Sequence, residues 1–399
     1  MSDVTREFGG TSARGWFSLT SSALTAVVVG FASTILLIME AASAVGANDA
    51  QKASWAAALC IGQAITTLIL SWRYKMPIIT AWSTPGAALI ATSASAGIDY
   101  PSALSAFIAA GVLMCVTALF WPVARLIEKI PGSIAAGMLA GVLLRYSMGV
   151  PGAAIELPLL VLPLIIVFFA LRVWQPLFAV PVVVAVGVVL AAFSGSFGQG
   201  CCSLSITEPL WTWPSFNWPV IVGLGVPLYL VTMASQNLPG FAVLKASGYQ
   251  PPVTGSLWVT GVASILFAPF GSHQINLAAI TASIVTGPEA HPDPAKRWLV
   301  AWPYLILYVL VGLAAASFVA ILGSLPKPLI TAIAGLALFA PLLGSATQMF
   351  KTSHEVEAAL ATFLVSASGI TLYGVGAPFW GLVAGLVLFG ARRLQAMRQ

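Results

Sequence analysis

The chain has 399 residues, of which 17 are Lys or Arg and 12 are Asp or Glu, so charged residues make up 7 % of it. A soluble domain is about 25 % charged, and a chain that is 59 % hydrophobic with a mean hydropathy of +0.96 cannot cover a water-facing surface with so few charges. That excludes a soluble globular fold, a disordered chain, a secreted disulfide scaffold and, since +5 over this length is no basic footprint, a nucleic-acid binder. What remains is a polytopic membrane protein.

Read with a window of about 20 residues, the chain offers about fourteen apolar segments. Those of the first half fall near 17–45, 54–72, 77–96, 101–121, 130–149, 154–171 and 177–195. Those of the second half fall near 216–238, 252–270, 272–287, 298–322, 327–344, 356–372 and 375–391. The first is too long for a signal peptide and reads as a true span. Cys60 and Cys115 lie inside apolar runs as small hydrophobes, and the adjacent Cys201 and Cys202 read as unpaired.

With the N-terminus inside, fourteen basic residues, including Arg6, Arg125, Lys129, Arg172 and Arg398, fall on the cytoplasmic side. Only Lys52, Arg145 and Lys327 fall outside. This is a positive-inside signature and predicts that both termini are cytoplasmic. The polar connection 195–215 has no Lys or Arg and is predicted external. It divides the chain into seven plus seven spans, and an odd number per half inverts the second half relative to the first.

Segments three and ten cannot be ordinary spans. In the third, Pro77 and Pro85 forbid a continuous helix, while Ile78, Ile79, Thr80 and Trp82 favour extended backbone. Ser83 or Thr84 before Pro85 is a helix-start pattern. The tenth repeats the plan with Pro269-Phe270-Gly271-Ser272-His273-Gln274 ahead of a short apolar helix. Each reads as an extended stretch followed by a half-helix starting near mid-membrane. Non-helical backbone at that depth must be buried in protein or line a cavity, and two opposed half-helix starts would attract an anion.

Thr80-Ala81-Trp82-Ser83-Thr84-Pro85-Gly86-Ala87-Ala88-Leu89, Leu230-Val231-Thr232-Met233-Ala234-Ser235-Gln236-Asn237 with Pro239-Gly240, and Pro288-Glu289-Ala290-His291-Pro292-Asp293 resemble the benzoate/proton symporter family, BenE, along nearly the whole chain. That family is similar to nucleobase transporters and sulfate/bicarbonate carriers. The resemblance implies an all-α fold of fourteen segments in two inverted repeats, divided into core and gate domains. The core would comprise 1–121 and 216–322, the gate 122–195 and 323–399, with 196–215 as the external loop. It also implies that substrate lies between the third and tenth segments. Trp82, Ser83, Thr84 and Gly86 then stand at the tip of the first half-helix. His273, Gln274, Asn276 and Leu277 stand near an acidic ligand of the nucleobase carriers, and Gln236 and Asn237 near a second. Both acids are missing here, which suits a substrate bringing its own carboxylate.

Glu40 is the one acidic residue well inside a span, about 12 Å below the outer surface. A charge there is costly, so it reads equally as a proton carrier or as a protonated hydrogen-bonding group. His273 is a second candidate for the coupled proton. Gln63 reads as interhelical glue, and Trp211, Trp213 and Trp218 as an interfacial belt. Pro-flanked Glu289, His291 and Asp293 do not read as metal ligands, no enzyme motif is present, and no cofactor beyond the coupling proton is expected. The leading function is import of benzoate or a similar aromatic carboxylate by proton symport in a bacterial-type inner membrane. The alternative is an anion exchanger, uniporter or channel. The expected partners are that substrate and the lipid bilayer, not nucleic acid; a homodimer is allowed.

Overall fold

The computed structural model describes residues 12–93, 97–120, 131–195, 205–278, 280–373 and 375–396. Arg6, Arg125, Lys129, Arg398, Cys201 and Cys202 lie outside the described residues, as do the expected domain boundary at 121–122 and residues 196–204 of the connection that follows 195.

The Ser12 hydroxyl caps α1 (Ala13–Ala32) by accepting from the Gly15 N–H at 3.2 Å. Ser33 and Thr34 interrupt the run by bonding back to the Val29 and Gly30 carbonyls, the usual way hydroxyls bend a membrane helix, and α2 (Ile35–Ala44) follows. A capping box of Asn48 and Gln51 starts α3 (Asp49–Tyr74), which ends at Lys75 in the left-handed region.

The chain then extends as β1 (Thr80–Trp82), enters the half-helix α4 (Thr84–Ala91) and continues through α5 (Tyr100–Leu119). Next come α6 (Gly132–Ser147), α7 (Gly149–Glu156), α8 (Pro158–Trp174) and α9 (Ala179–Phe193). The second half opens with α10 (Trp218–Ala246), interrupted by π-turns at Ile221–Gly225 and Met233–Asn237. It continues with α11 (Val253–Phe267), β2 (Ile275–Leu277) and the half-helix α12 (Ile280–Thr286). The remaining helices are α13 (Ala301–Leu313), α14 (Ala315–Gly323), α15 (Lys327–Ala337), α16 (Phe339–Met349), α17 (Val356–Ser368) and α18 (Ala377–Ala396).

Among the described residues, eight helices are long and apolar enough to cross a membrane. The bent pair α14 and α15, at 117°, would add a ninth span. The other apolar segments of the sequence come out shorter than the roughly 20 residues of a perpendicular span, because Pro, Gly and hydroxyl breaks divide them. Both broken segments are extended-then-helical as their prolines require.

The two extended stretches, 195 residues apart, pair with each other. β1 and β2 are antiparallel with Thr80 opposite Leu277, Ala81 opposite Asn276 and Trp82 opposite Ile275. Helices pack around this crossing in two groups: α3 against α13, α5 against α11 and α2 against α4, and separately α17 against α6 and α18, and α9 against α8 and α15. The segment 205–217 straps one end of the bundle. Thr207 N–H donates to the Leu313 carbonyl, Thr212 N–H to Pro269 and Ser215 N–H to Pro101. The strap therefore joins the ends of α13 and α11 to the start of α5. Trp211, Trp213 and Trp218 are exposed on or beside it.

Candidate substrate-binding site

Three residues of extended backbone in a membrane interior leave their polar groups without water, and α3 supplies the partners. The Thr80 hydroxyl donates to the Gln63 carbonyl at 2.7 Å and lies 2.7 and 2.8 Å from the Thr66 and Thr67 hydroxyls. The Thr80 N–H donates to Thr67 Oγ1 at 2.9 Å, and Tyr304 donates to the Thr80 carbonyl at 2.9 Å. Across the pair, Ile275 N–H donates to Ser264 Oγ at 2.9 Å and Leu277 N–H to Asn237 Oδ1 at 3.0 Å. The irregular backbone is satisfied by side chains from α3, α10, α11 and α13.

The residues singled out in the sequence divide into two sets. Ser83, Gly86, Asn237, His273, Gln274, Asn276 and Leu277 are buried and build the crossing. The ring of His273 accepts from Trp55 Nε1 at 3.1 Å through Nδ1. It must therefore donate from Nε2 to the Ser83 carbonyl, 3.0 Å away. Both nitrogens are engaged, and the ring is the neutral Nε2–H tautomer. Gln274 donates to the Phe107 carbonyl at 2.7 Å and Asn276 to the Leu277 carbonyl at 2.8 Å, leaving buried amide oxygens at both without partners.

At the start of α4 the N–H supply is smaller than a bare half-helix would offer. Pro85 has none, Gly86 N–H is held by Ser83 Oγ at 3.1 Å, and Ala87 N–H by the Ser83 carbonyl at 2.8 Å. Thr84 N–H is the one left over in that turn. A Cβ on Gly86 would stand 2.6 Å from Leu228 and 2.7 Å from Ser83 Oγ, so glycine here permits the cap.

Trp82, Thr84 and Gln236 form the second set, which faces a cavity of about 190 Å³ between the two helix groups. A void of about 150 Å³ admits a benzene ring, so one aromatic acid fits. The Trp82 indole is fixed by donation to Thr34 Oγ1 at 2.8 Å and by an edge contact with Tyr308 at 6.1 Å. With Phe168 on α8 these rings give apolar walls of the kind that bury a ligand ring. Gln236 reaches the cavity from the π-turn of α10, a distortion often found at functional sites. Glu40 is half-buried on α2, which packs against α4; it is not among the cavity-lining residues.

Most of the lining, the aromatic walls Phe168 and Tyr308 included, was not singled out as site residues from the sequence, and two of its polar members are Gln63 and Arg172. Gln63 lines the cavity beside the Tyr308 hydroxyl of α13, its amide wholly buried. Arg172, in the last turn of α8, lines the cavity with its guanidinium 5.0 Å from the Phe339 ring. In the sequence it counts as one more interfacial charge. The available signal is that Arg172 stands one turn beyond Phe168, on the same helix face, and Phe168 is buried.

Glu289, His291 and Asp293 do not converge on a common point. His291 Nδ1 accepts from the Asp293 N–H, and buried Arg297 donates to the His291 and Thr286 carbonyls at 2.8 and 2.7 Å, tying the loop shut.

Broken segments crossing beside a ring-sized cavity define a multi-pass membrane transporter, not an enzyme. The chain belongs to the BenE family of benzoate membrane transport proteins, whose profile matches residues 17–390. It is 38 % identical to the inner membrane protein YdcO of Escherichia coli (strain K12), over 94 % of this chain and 95 % of that protein. It is 32 % identical to the benzoate membrane transport protein of Acinetobacter baylyi (strain ATCC 33305 / BD413 / ADP1), over 93 % and 94 %. In fold it resembles the transmembrane domain of the cyanobacterial bicarbonate transporter BicA (TM-score 0.57, 12 % identity, 94 % of this chain and 98 % of that one). It also resembles the murine SLC26A9 anion transporter in the inward-facing state (TM-score 0.62, 15 % identity, 96 % and 69 %).

Proposed function

We propose that this protein imports benzoate or a similar single-ring aromatic carboxylate together with a proton across a bacterial inner membrane, both termini facing the cytoplasm. The observation that carries the reading is the cavity at the crossing: aromatic walls of Trp82, Tyr308 and Phe168, with Arg172, Gln63, Thr84 and Gln236 among its polar residues. The ring lies against the aromatic walls. The carboxylate takes the Arg172 guanidinium, the Thr84 N–H at the positive end of α4, and the amides. Ser83, Gly86, Asn237, His273, Gln274, Asn276 and Leu277 hold the crossing in shape. Alternating access moves a core of 1–121 and 216–322 against a gate of 122–195 and 323–399, the two halves forming an inverted seven-plus-seven repeat. The benzoate transport named for the Acinetobacter relative supports the substrate class.

No Asp or Glu among the described residues lines the cavity, so the coupled proton travels on Glu40, one helix behind α4, and not on a group in contact with substrate. Exchange or uniport of the anion is the second reading, favoured by the same lack of a lining acid. Uptake by proteoliposomes under an imposed pH gradient decides, using a panel of aromatic acids, nucleobases and sulfate. We expect uphill accumulation of benzoate that Glu40→Gln abolishes while counterflow persists. Accumulation unchanged in that variant removes Glu40 from coupling. Benzoate movement that ignores the gradient favours exchange or uniport.

A further inference from the structure

A second, smaller pocket lies at the far end of the half-helix α4. Where the large cavity meets the start of α4 at Trp82 and Thr84, this one meets its end at Leu89, Thr92 and Ser93. Its volume is about 30 Å³, room for no more than a couple of waters. Its chemistry is nevertheless that of an anion site. Arg145, in the last turn of α6, lines it, and no carboxylate or carbonyl among the described residues bonds its guanidinium. Ser366 on α17 also lines it with a hydroxyl that is buried and has no partner. Gly369, in the left-handed region at φ +69°, leaves the space the guanidinium occupies; a Cβ there would fall on Arg145.

Both arginines belong to the same helix group, Arg145 on α6 and Arg172 on α8, and α4 separates them. We propose that the small pocket is the narrow outer half of the transport path, and that the exposed Arg145 is its anion-capturing residue. Arg145 receives the substrate carboxylate from outside, with Ser366 as a second donor, as Arg172 does on the inner side. Each guanidinium serves one of the two access states. This rests on the transport reading above for the identity of the carboxylate, and on the charge distribution for which side is outer.

The test has two arms. In the first, initial rates are measured for benzoate presented from outside and, by efflux, from inside. Arg145→Gln is expected to raise the external KM about tenfold, to remove its dependence on ionic strength, and to leave the internal KM unchanged; Arg145→Lys keeps most of the effect of the parent residue. An unchanged external KM, or equal changes on both sides, overturns the proposal.

The second arm needs no transport. In a chain with Cys201 and Cys202 replaced by serine, Ser93→Cys is labelled from outside with an anionic and a cationic methanethiosulfonate of similar size. The anionic reagent is expected to react several-fold faster, and Arg145→Gln to erase that preference. No labelling from outside, or no charge preference, overturns the site. If the parent transports no aromatic acid but the labelling preference holds, the transport reading fails and the anion site stands.

Discussion

Thr80 holds three hydroxyl contacts in a space that water cannot reach. Its own hydroxyl meets Gln63, Thr66 and Thr67, and it is wholly buried. Valine has nearly the same shape and none of that chemistry. Thr80→Val leaves the Gln63 carbonyl and two hydroxyls short of a partner, at a cost of about 1–3 kcal/mol. We expect a lower melting temperature in detergent and a proportionate fall in transport, whereas Thr25→Val, at an exposed hydroxyl bonded to its own helix, changes neither. Equal melting temperatures for the two variants would show that the crossing is held by packing alone. The same logic places His273 in the frame. Its ring nitrogens join Trp55 of α3 to the Ser83 carbonyl ahead of α4, so it links three elements through one neutral ring.

At the scale of elements, the helices α6, α17 and α18 meet backbone to backbone. A Cβ on Gly141 would stand 2.6 Å from the Phe363 carbonyl oxygen, and one on Gly385 3.0 Å from that of Ala358. The spacings Gly137 to Gly141 and Gly381 to Gly385 are the small-xxx-small pattern that lets membrane helices approach closely. Gly141→Leu is expected to cost at least the 1–3 kcal/mol typical of overpacking, about a tenfold or greater shift toward unfolded protein. Thermal denaturation should register it, with Gly141→Ala milder; a stable leucine variant would mean that α17 can slide away freely.

Much of this scale was legible. Pro77, Pro85 and Pro269-Phe270-Gly271 dictate where helices stop, and Ser83 before Thr84-Pro85 dictates where one restarts, because those are local rules. The pairing of Thr80–Trp82 with Ile275–Leu277 is not local. No residue in either stretch names its partner 195 positions away, so the crossing emerges only once both breaks are folded into one bundle. For the same reason Arg172 read as an interfacial charge: its place is defined by the cavity that other segments close around it.

For the whole molecule, the two pockets on either side of α4 differ about sixfold in volume, 190 against 30 Å³. A carrier caught midway would have two similar halves; here most of the room lies on one side of α4. The cavity is bordered by Arg172, Pro176, Ala340 and Pro341, next to connections that the basic residues assign to the cytoplasm. The small pocket is bordered by the end of α17 and the start of α18, and the strap 205–217 belongs to the outer face under the same assignment. With the charge rule setting the orientation, the roomier side faces the cytoplasm. Single cysteines test both statements together. Ser215→Cys, on the exposed strap, should react with an impermeant thiol reagent only from outside. Ser353→Cys, exposed between α16 and α17, should react only from inside. Ala340→Cys, exposed at the cavity wall, should follow Ser353 and be protected by benzoate. Labelling of positions 215 and 353 from the same side would break the seven-plus-seven order. Labelling of position 340 from outside alone would keep the order and reverse the state.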